Sequence, residues 1–240
     1  MTASPSRLLT VVAVVLVALL GVEPGVASAD SLGGVVPRGT TFELNRANHP
    51  PRVVMADNFT TAGAVDGRVP ESRRAGTNTW TQVRGKWATR NGYLDPPQLP
   101  GALVVYPADI TDLTVEMGVT IAGPYNFGPV LRANAAGTSF LAVQLSSSNT
   151  LTVTITVAGT TSTLLSRNAT QGWVSPTGVF TFGATLRATT LEVRLNGAVV
   201  LTNTFTTTQL SPLSGLTYAG VWVSSSGNEM LDDVRVTEPM

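Results

Sequence analysis

The chain has 240 residues, in which 15 Lys and Arg side chains balance 15 Asp and Glu, and it contains no cysteine. A formal net charge of +0 argues against nucleic-acid and anionic-membrane partners, which are attracted by clustered positive charge. Without cysteine there are no disulfides, zinc–thiolate sites or cysteine nucleophiles, so stability must come from a packed core.

Residues 1–29 are predicted to be a secretory signal peptide. Arg7 precedes an apolar run from Leu8 to Leu20, and the small residues Ala27-Ser28-Ala29 provide a cleavage site. The alternative is a membrane anchor, but a run of about 13 residues is shorter than the roughly 20 needed to span a bilayer as a helix. We therefore predict cleavage after Ala29, a secreted extracellular protein, and no stable membrane insertion after cleavage.

Residues 30–52 are predicted to form an extended N-terminal arm, followed by one domain over residues 53–240. The arm contains Gly33-Gly34 and Pro50-Pro51 and has few periodic apolar positions. It also holds the only histidine, His49. A Ser-His-Asp triad needs its base held firmly against the nucleophile, so we interpret His49 as an exposed residue with no special role.

From residue 80 onward, short apolar stretches recur at the spacing of a β-sandwich. In Leu113–Ile121 and Leu151–Val157, apolar and polar residues alternate with a period of two, which is typical of strands with one buried face. Asn91-Gly92 and Asn196-Gly197 predict tight hairpins, because Asn-Gly readily adopts the positive φ of a type I′ turn. No segment has a helical period beyond a turn or two. The sequence therefore predicts an all-β fold, a two-sheet antiparallel jelly-roll sandwich.

Five stretches of the domain, taken in their order, carry a family resemblance: Asp57-Asn58-Phe59, Trp80 to Leu94, Gly128 to Arg132, Leu191 to Gly197 and Leu231 to Val236. Together they resemble the concanavalin A-like lectin/glucanase superfamily, including its laminin G-like jelly-roll domains. The resemblance implies two curved antiparallel sheets, often with carbohydrate bound on the concave face or at its rim. It does not imply one activity, because this fold hosts lectins, adhesion modules, glycosidases and noncatalytic domains.

Glycoside hydrolysis is the main enzymatic alternative. It needs two carboxyl groups, about 5 to 5.5 Å apart for retention and about 6.5 to 9.5 Å apart for inversion. Glucanases of the resembled fold usually place the pair on one strand as Glu-x-Asp-x-x-Glu, a pattern that this sequence lacks. Glu116 stands alone on the polar face of its strand, and Glu192 lies two residues from Arg194, as in a solvated surface pair. Asp109 and Asp112 fit a connection between strands. We therefore favour a noncatalytic protein.

Asp57, Asp232 and Asp233 are the candidate ligands of a structural Ca2+ ion. The resemblance implies that the first and last strands pair, which would bring Asp57 close to Asp232 or Asp233. Calcium takes about 6 to 8 oxygen ligands, so three carboxylates alone are too few. The alternative is that these residues only mark the starts of strands.

Tyr125 and Trp173 are the predicted ligand platform, with Asn126 and Arg132 as supporting polar groups. Both aromatic residues lie in turn-rich stretches, where a ring can stay exposed and stack on a sugar. Arg132 matches a polar residue that the resembled family often places near its concave face. The remaining large aromatic residues considered are expected to pack in the core, because each buries a large apolar area: Trp80, Trp87, Phe140, Phe180, Phe182 and Trp222.

The sequence predicts a secreted, noncatalytic carbohydrate-binding or surface-adhesion module whose partner is a polysaccharide or glycan. Two alternatives stay open, a glycoside hydrolase of the same fold and a structural or protein-binding envelope protein. Two facing carboxylates in a deep cleft would favour the hydrolase. A shallow groove with exposed aromatic residues would favour the sugar binder, and a broad apolar patch would favour protein association.

Overall fold

Strands make up most of the chain that the computed structural model describes, namely residues 51–74, 76–97, 100–168, 178–224 and 229–239. These residues belong to one compact unit, Phe42–Met240. The predicted signal peptide, residues 30–50 of the predicted arm, and Trp173 lie outside the described residues. Within those residues, no helix has the length and apolar character needed to cross a bilayer.

The described chain forms seventeen strands and one short helical segment. The strands are β1 (Arg52–Asp57), β2 (Gly63–Ala64), β3 (Ser72–Arg73), β4 (Thr81–Arg84), β5 (Ala88–Arg90), β6 (Tyr93–Asp95), β7 (Ala102–Pro107), β8 (Leu113–Ile121), β9 (Asn126–Ala133), β10 (Phe140–Ser146), β11 (Thr150–Val157), β12 (Thr160–Asn168), β13 (Gly178–Arg187), β14 (Thr190–Leu195), β15 (Ala198–Thr204), β16 (Tyr218–Val223) and β17 (Glu229–Glu238). A helix of four residues, α1 (Thr207–Leu210), and a 3₁₀ turn (Ser211–Leu213) connect β15 to β16.

All pairs of strands are antiparallel, and they form two sheets. The seven-stranded sheet has the order β12-β11-β10-β9-β16-β7-β4. The ten-stranded sheet has the order β15-β14-β13-β8-β17-β6-β5-β2, with β1 paired to β17 and β3 paired to β1. The first and last strands therefore pair, as the family resemblance implied, and Asp57 lies opposite Val234.

The main core lies between the apolar faces of the two sheets. In β8, Leu113, Val115 and Met117 are buried, whereas Glu116 between them is exposed, so the strand has the alternation that its sequence predicts. The sheets meet through aromatic rings, since Phe127 of β9 packs edge-on against Phe182 of β13 with 5.9 Å between the ring centroids. Burying one such side chain stabilises the fold by roughly 1.5 to 3 kcal/mol.

Both predicted Asn-Gly hairpins are confirmed. Asn91 and Gly92 have φ values of 53° and 81° and join β5 to β6. Asn196 and Gly197 have φ values of 50° and 77° and join β14 to β15. Two consecutive residues with positive φ define the type I′ turn, whose twist matches that of the flanking strands.

A second apolar cluster lies on the outer face of the seven-stranded sheet. In β7, Ala102 and Val104 face the main core, so Leu103 and Val105 face the opposite way. The buried members of this second cluster, which we call the outer cluster, are Leu103, Val105, Val130, Ala133, Phe140 and Ala142. Val83, Tyr218 and Trp222 pack against it and remain partly exposed. The seven-stranded sheet is thus apolar on both faces over its central strands.

Candidate functional site

A groove of about 380 Å³ lies over the outer cluster. We call it the Trp222 groove. Its lining combines aromatic, hydroxyl, glycine and apolar residues with one arginine: Val83, Arg84, Gly101, Leu103, Ala136, Gly137, Thr138, Phe140, Thr156, Gly159, Thr161 and Trp222. Concave sites of this mixed apolar and polar character are the usual places where proteins bind small ligands.

Trp222 is the half-buried aromatic residue of this groove. In β16, Val221 and Val223 enter the main core, so the alternation of the strand directs Trp222 to the outer face. Trp222 lies opposite Gly128 of β9 and Leu103 of β7. A Cβ atom at Gly128 would lie 3.0 Å from the ring of Phe182, so this position is glycine because of close packing on the core side.

The connection between β9 and β10 forms a fixed wall of the groove. The side-chain oxygen of Asn134 accepts hydrogen bonds from the backbone N–H groups of Thr138 and Ser139, at 2.9 and 3.2 Å. The N–H of Gly159 donates to the carbonyl of Thr138 at 2.7 Å, which ties this wall to the β11–β12 turn. A wall held in this way costs little ordering entropy when a ligand binds.

Hydroxyl groups lie along the same face, where Thr138 and Thr161 are exposed and Thr156 is buried. The Oγ1 atoms of Thr156 and Thr161 lie 2.9 Å apart, and both residues line the groove. Gln144 donates to Thr154 at 2.9 Å one row further along β10 and β11. A hydroxyl can donate one hydrogen bond and accept two, which suits the hydroxyls of a sugar.

Tyr125 lies in the main core and does not offer its ring to a ligand. It is 3% exposed, and its ring centroid lies 5.7 Å from that of Phe127. Burial raises the pKa of its phenol above the usual value of 10.0. A stacking platform needs an exposed ring face. Tyr125 has none, because its ring is packed in the core.

Arg132 and Asn126 support the fold at opposite ends of β9. Arg132 is 8% exposed and donates to the carbonyls of Thr111 and Ala188 and to the carboxylate of Asp112, at 2.9, 2.8 and 3.0 Å. It therefore joins two connections rather than facing a ligand. The backbone N–H of Asn126 donates to Glu229 Oε1 at 3.1 Å. Neither residue lines the Trp222 groove within the described chain.

The structure brings Asp57 and Asp233 to the same hollow, of about 270 Å³, where Glu71 also lies. The carboxylate of Asp57 is fully occupied by protein donors. Its Oδ1 atom accepts from the N–H of Phe59 at 3.0 Å and from Arg68 at 3.1 Å, and its Oδ2 atom accepts from Arg68 at 3.1 Å and from Trp80 at 2.9 Å. A carboxylate has about four lone-pair positions, so Asp57 has none left for a cation.

Asp232 and Asp233 do not complete a calcium site. Burial raises the pKa of Asp232, and the negative charges of Asp233, Glu71 and Asp57 raise it further. Among the residues that the structure describes, no group of three or more His, Cys, Asp or Glu is placed to hold a metal ion. With Asp57 engaged by Arg68, the predicted ligand set does not fit the roughly 6 to 8 oxygens that calcium takes.

A larger groove, of about 600 Å³, crosses the outer face of the ten-stranded sheet and contains Glu116 and Glu192. We call it the Glu116 groove. Glu192 forms an ion pair with Arg194 at 2.7 Å, which confirms the predicted surface pair, and Glu116 lies opposite Arg235. β8 and β14 flank β13, so the backbones of the two glutamates are separated by two strand spacings, or roughly 10 Å. Each carboxylate thus has an arginine as its neighbour on a solvated face.

Trp222 was expected in the core, but it lies on the outer face of the seven-stranded sheet. The alternation of residues along β16 could have indicated this position. In Tyr218–Val223 the two aromatic residues share one face with Gly220, and the small or branched residues Ala219, Val221 and Val223 share the other. Because the second set is the natural core face of a strand, the first set has to face outward. The cluster that receives it could not be inferred from β16 alone.

Comparisons with known proteins find similar solved structures but no similar sequence. No protein-family model matches the sequence, and no curated protein matches it. A carbohydrate-binding module, CBM66 from Bacillus subtilis, is similar with a TM-score of 0.55 and 13% identity over 66% of this chain and 94% of that one.

Two further solved structures share the architecture. The GH16 endo-beta-1,3(4)-glucanase SCLam has a TM-score of 0.50 and 14% identity, covering 79% of this chain and 91% of its own. The K247S mutant of the GH43 protein BlXynB from Bacillus licheniformis has a TM-score of 0.51 and 15% identity, covering 77% of this chain and 39% of its own. Likeness at these identities concerns the fold alone. The chain therefore has a two-sheet antiparallel jelly-roll fold, as its sequence pattern predicted, and shares this fold with the three solved proteins.

Proposed function

We propose that the chain is a secreted, noncatalytic carbohydrate-binding module that holds a polysaccharide or glycan in the Trp222 groove. The observation that carries this proposal is the half-buried indole of Trp222 in one groove with the exposed hydroxyl residues Thr138 and Thr161. A sugar ring has an apolar face of C–H groups and a rim of hydroxyls. A groove that holds both an aromatic ring and hydroxyls matches both parts.

Binding rather than cleavage is supported by the chemistry of the groove lining. Glycoside hydrolysis requires two carboxyl groups on either side of the scissile bond. The Trp222 groove is lined by aromatic, hydroxyl and apolar side chains with one guanidinium. The glutamates of the Glu116 groove lie on the other sheet, where arginines neighbour them.

A protein-binding role has less support from the exposed apolar residues. The described residues include five large, exposed apolar side chains, which lie on β1, the β2–β3 connection, β13, β15 and β17: Val53, Val69, Val179, Val199 and Met230. None of them lines the Trp222 groove. Single exposed apolar residues are normal on protein surfaces, whereas a contiguous patch marks an interface.

Secretion is part of the proposal and rests on the sequence of residues 1–29. The charged n-region, the apolar run and the Ala-Ser-Ala triplet have the order of a signal peptide. A secreted module meets polysaccharides and glycans outside the cell. Edman sequencing of the protein exported by its host should begin at Asp30 if cleavage follows Ala29.

A glycan array tests the function. The protein should bind a limited set of glycans, and Trp222→Ala should lower the affinity for them at least about tenfold, which corresponds to ~1.4 kcal/mol. Tyr93→Ala is the matched control, because Tyr93 is a half-buried aromatic residue on β6 of the ten-stranded sheet. It should leave binding unchanged.

Two outcomes would count against the proposal. Absence of binding to every glycan, with the fold confirmed by circular dichroism, would favour the protein-binding alternative. Binding that survives Trp222→Ala would place the glycan elsewhere on the molecule.

A further inference from the structure

We infer that the Trp222 groove selects saccharides that carry a carboxylate, such as uronic acid units, and that Arg84 is the residue that selects them. The inference rests on the proposed function and adds the chemical class of the ligand.

The groove has a single charged side chain. Among its described lining residues, Arg84 is the one ionised group, and no Asp or Glu is present. Residues 98–99 and 225–228, which adjoin groove strands in the sequence, contain no Asp or Glu either. The Glu116 groove differs in this respect, since two glutamates accompany its arginines. Among the described lining residues, the charge of the Trp222 groove is therefore positive, with no carboxylate beside it.

The Arg84 guanidinium has no protein acceptor among the described residues. Arg68 and Arg132 show the contrast, because their guanidinium groups bind Asp57 and Asp112 and are largely buried. Arg84 is exposed and enters no ion pair or side-chain hydrogen bond in the described chain. No acceptor among the described residues therefore competes with a ligand for its N–H donors.

The local backbone holds Arg84 in place. The indole N–H of Trp87 donates to the carbonyl of Arg84 at 3.1 Å. Gln82 exchanges two hydrogen bonds of 3.1 Å with the backbone of Trp87, which closes the turn after β4. These hydrogen bonds fix the backbone from which the exposed Arg84 side chain extends.

Gly101 provides the space in which the guanidinium lies. A Cβ atom added to Gly101 would lie 2.9 Å from Nη1 of Arg84, closer than such atoms approach one another. Gly101 also has a φ of +71°, which glycine adopts without strain. The guanidinium therefore rests over a backbone without a side chain, at the wall of the groove.

An arginine in this position suits a carboxylate better than a neutral hydroxyl. The guanidinium is planar and can donate two parallel hydrogen bonds to one carboxylate, and charge-assisted hydrogen bonds are roughly twice as strong as neutral ones. Trp222 and Arg84 lie opposite Leu103 from the two strands that flank β7, so their backbones are two strand spacings, or roughly 10 Å, apart. A saccharide of one or two rings stacked on Trp222 spans this distance. A uronate has this combination of an apolar ring face and a planar anion.

Calorimetric titration with matched saccharide pairs tests the inference. The pairs are homogalacturonan and its methyl ester, glucuronoxylan and unsubstituted xylan, and hyaluronan and chitin oligosaccharides. We expect at least one acidic member to bind about tenfold more tightly than its neutral partner, and salt to reduce this difference. Arg84→Gln should remove the preference, while Trp222→Ala should weaken both members of the pair.

The matched control is Arg187→Gln, because Arg187 lines the Glu116 groove on the other sheet. It should leave the preference intact. A preference that survives Arg84→Gln, or equal binding of acidic and neutral members that still depends on Trp222, would overturn the inference and leave the proposed function standing. Binding of no saccharide at all would overturn both. Circular dichroism and urea unfolding of each variant confirm that it is folded.

Discussion

The carboxylate of Asp57 shows how the partners of one residue decide its role. Its side chain is fully buried, and that of Arg68 beside it is 10% exposed. Trp80 and the backbone of Phe59 donate to the same carboxylate, so the end of β1 is tied to two later segments. Removing one member of a buried ion pair leaves the other charge desolvated and unpaired, which costs more than the pair itself contributes.

Asp57→Asn should therefore destabilise the protein strongly. The amide cannot accept all the hydrogen bonds of the carboxylate, and Arg68 would keep its buried charge, so we expect a loss of about 3 to 5 kcal/mol. Urea unfolding followed by tryptophan fluorescence measures it. The control is Arg90→Gln, because the Arg90–Asp95 pair is 3.6 Å long and exposed, and its loss should cost less than about 1 kcal/mol. Equal losses for the two variants would contradict this account of Asp57.

Turn composition predicted local geometry at the residue scale but not tertiary neighbours. It located Asn91-Gly92 and Asn196-Gly197 correctly, because positive φ is a property of the turn itself. It also suggested an exposed ring at Tyr125, which packs against Phe127 instead. The ion pair of Asp57 with Arg68 could not be predicted for a similar reason, since eleven residues separate the two and no local pattern linked them.

Among the elements, the β9–β10 connection contributes both to the packing of the fold and to the lining of the site. It crosses the outer face of the seven-stranded sheet, where Gly137 approaches Val83 of β4 and Leu103 of β7. A Cβ atom at Gly137 would lie 2.4 Å from Val83 and 2.6 Å from Leu103. This connection thus covers part of the outer cluster and forms a wall of the Trp222 groove at the same time.

Gly137→Ala should destabilise the protein more than Gly159→Ala. Both glycines have positive φ, +59° and +84°, so both substitutions carry a conformational cost of roughly 1 to 2 kcal/mol. Only Gly137 has neighbours within the reach of a methyl group, since nothing lies within 4 Å of a Cβ atom at Gly159. We expect an additional loss of about 1 to 3 kcal/mol for Gly137→Ala. Equal shifts of the two urea midpoints would show that the connection does not press on the outer cluster.

Strand patterns in the sequence predicted β8 and the core face of β11 and left the faces of β7 ambiguous. The expectation that β11 has one buried face was wrong, because Thr154 and Thr156 on its other face are also buried. A strand with one wet face alternates, so its core side can be read directly. In β7, Ala102 to Tyr106 are all buried, because the strand has the main core on one side and the outer cluster on the other. A continuous apolar run indicates burial on both faces, but it does not show what covers the second face.

For the molecule as a whole, the two sheets present different outer surfaces. The ten-stranded sheet carries alternating charges such as Glu116 and Arg235 in a solvated groove. The seven-stranded sheet carries the outer cluster and the Trp222 groove, whose described lining includes one arginine and no carboxylate. The fold could be predicted from periodicity and motif order. The site could not, because it is assembled from β4, β7, β10, β11, β12 and β16 and from three connections that are distant in sequence.

Mapping of amide chemical shifts by NMR tests most directly whether the Trp222 groove is the binding face. Titration with a saccharide identified on the array should shift the indole N–H of Trp222 and the amides of Thr156 and Thr161. Shifts confined to the Glu116 groove, for example at Glu116, Thr185 and Arg235, would contradict the account and place the ligand on the opposite sheet.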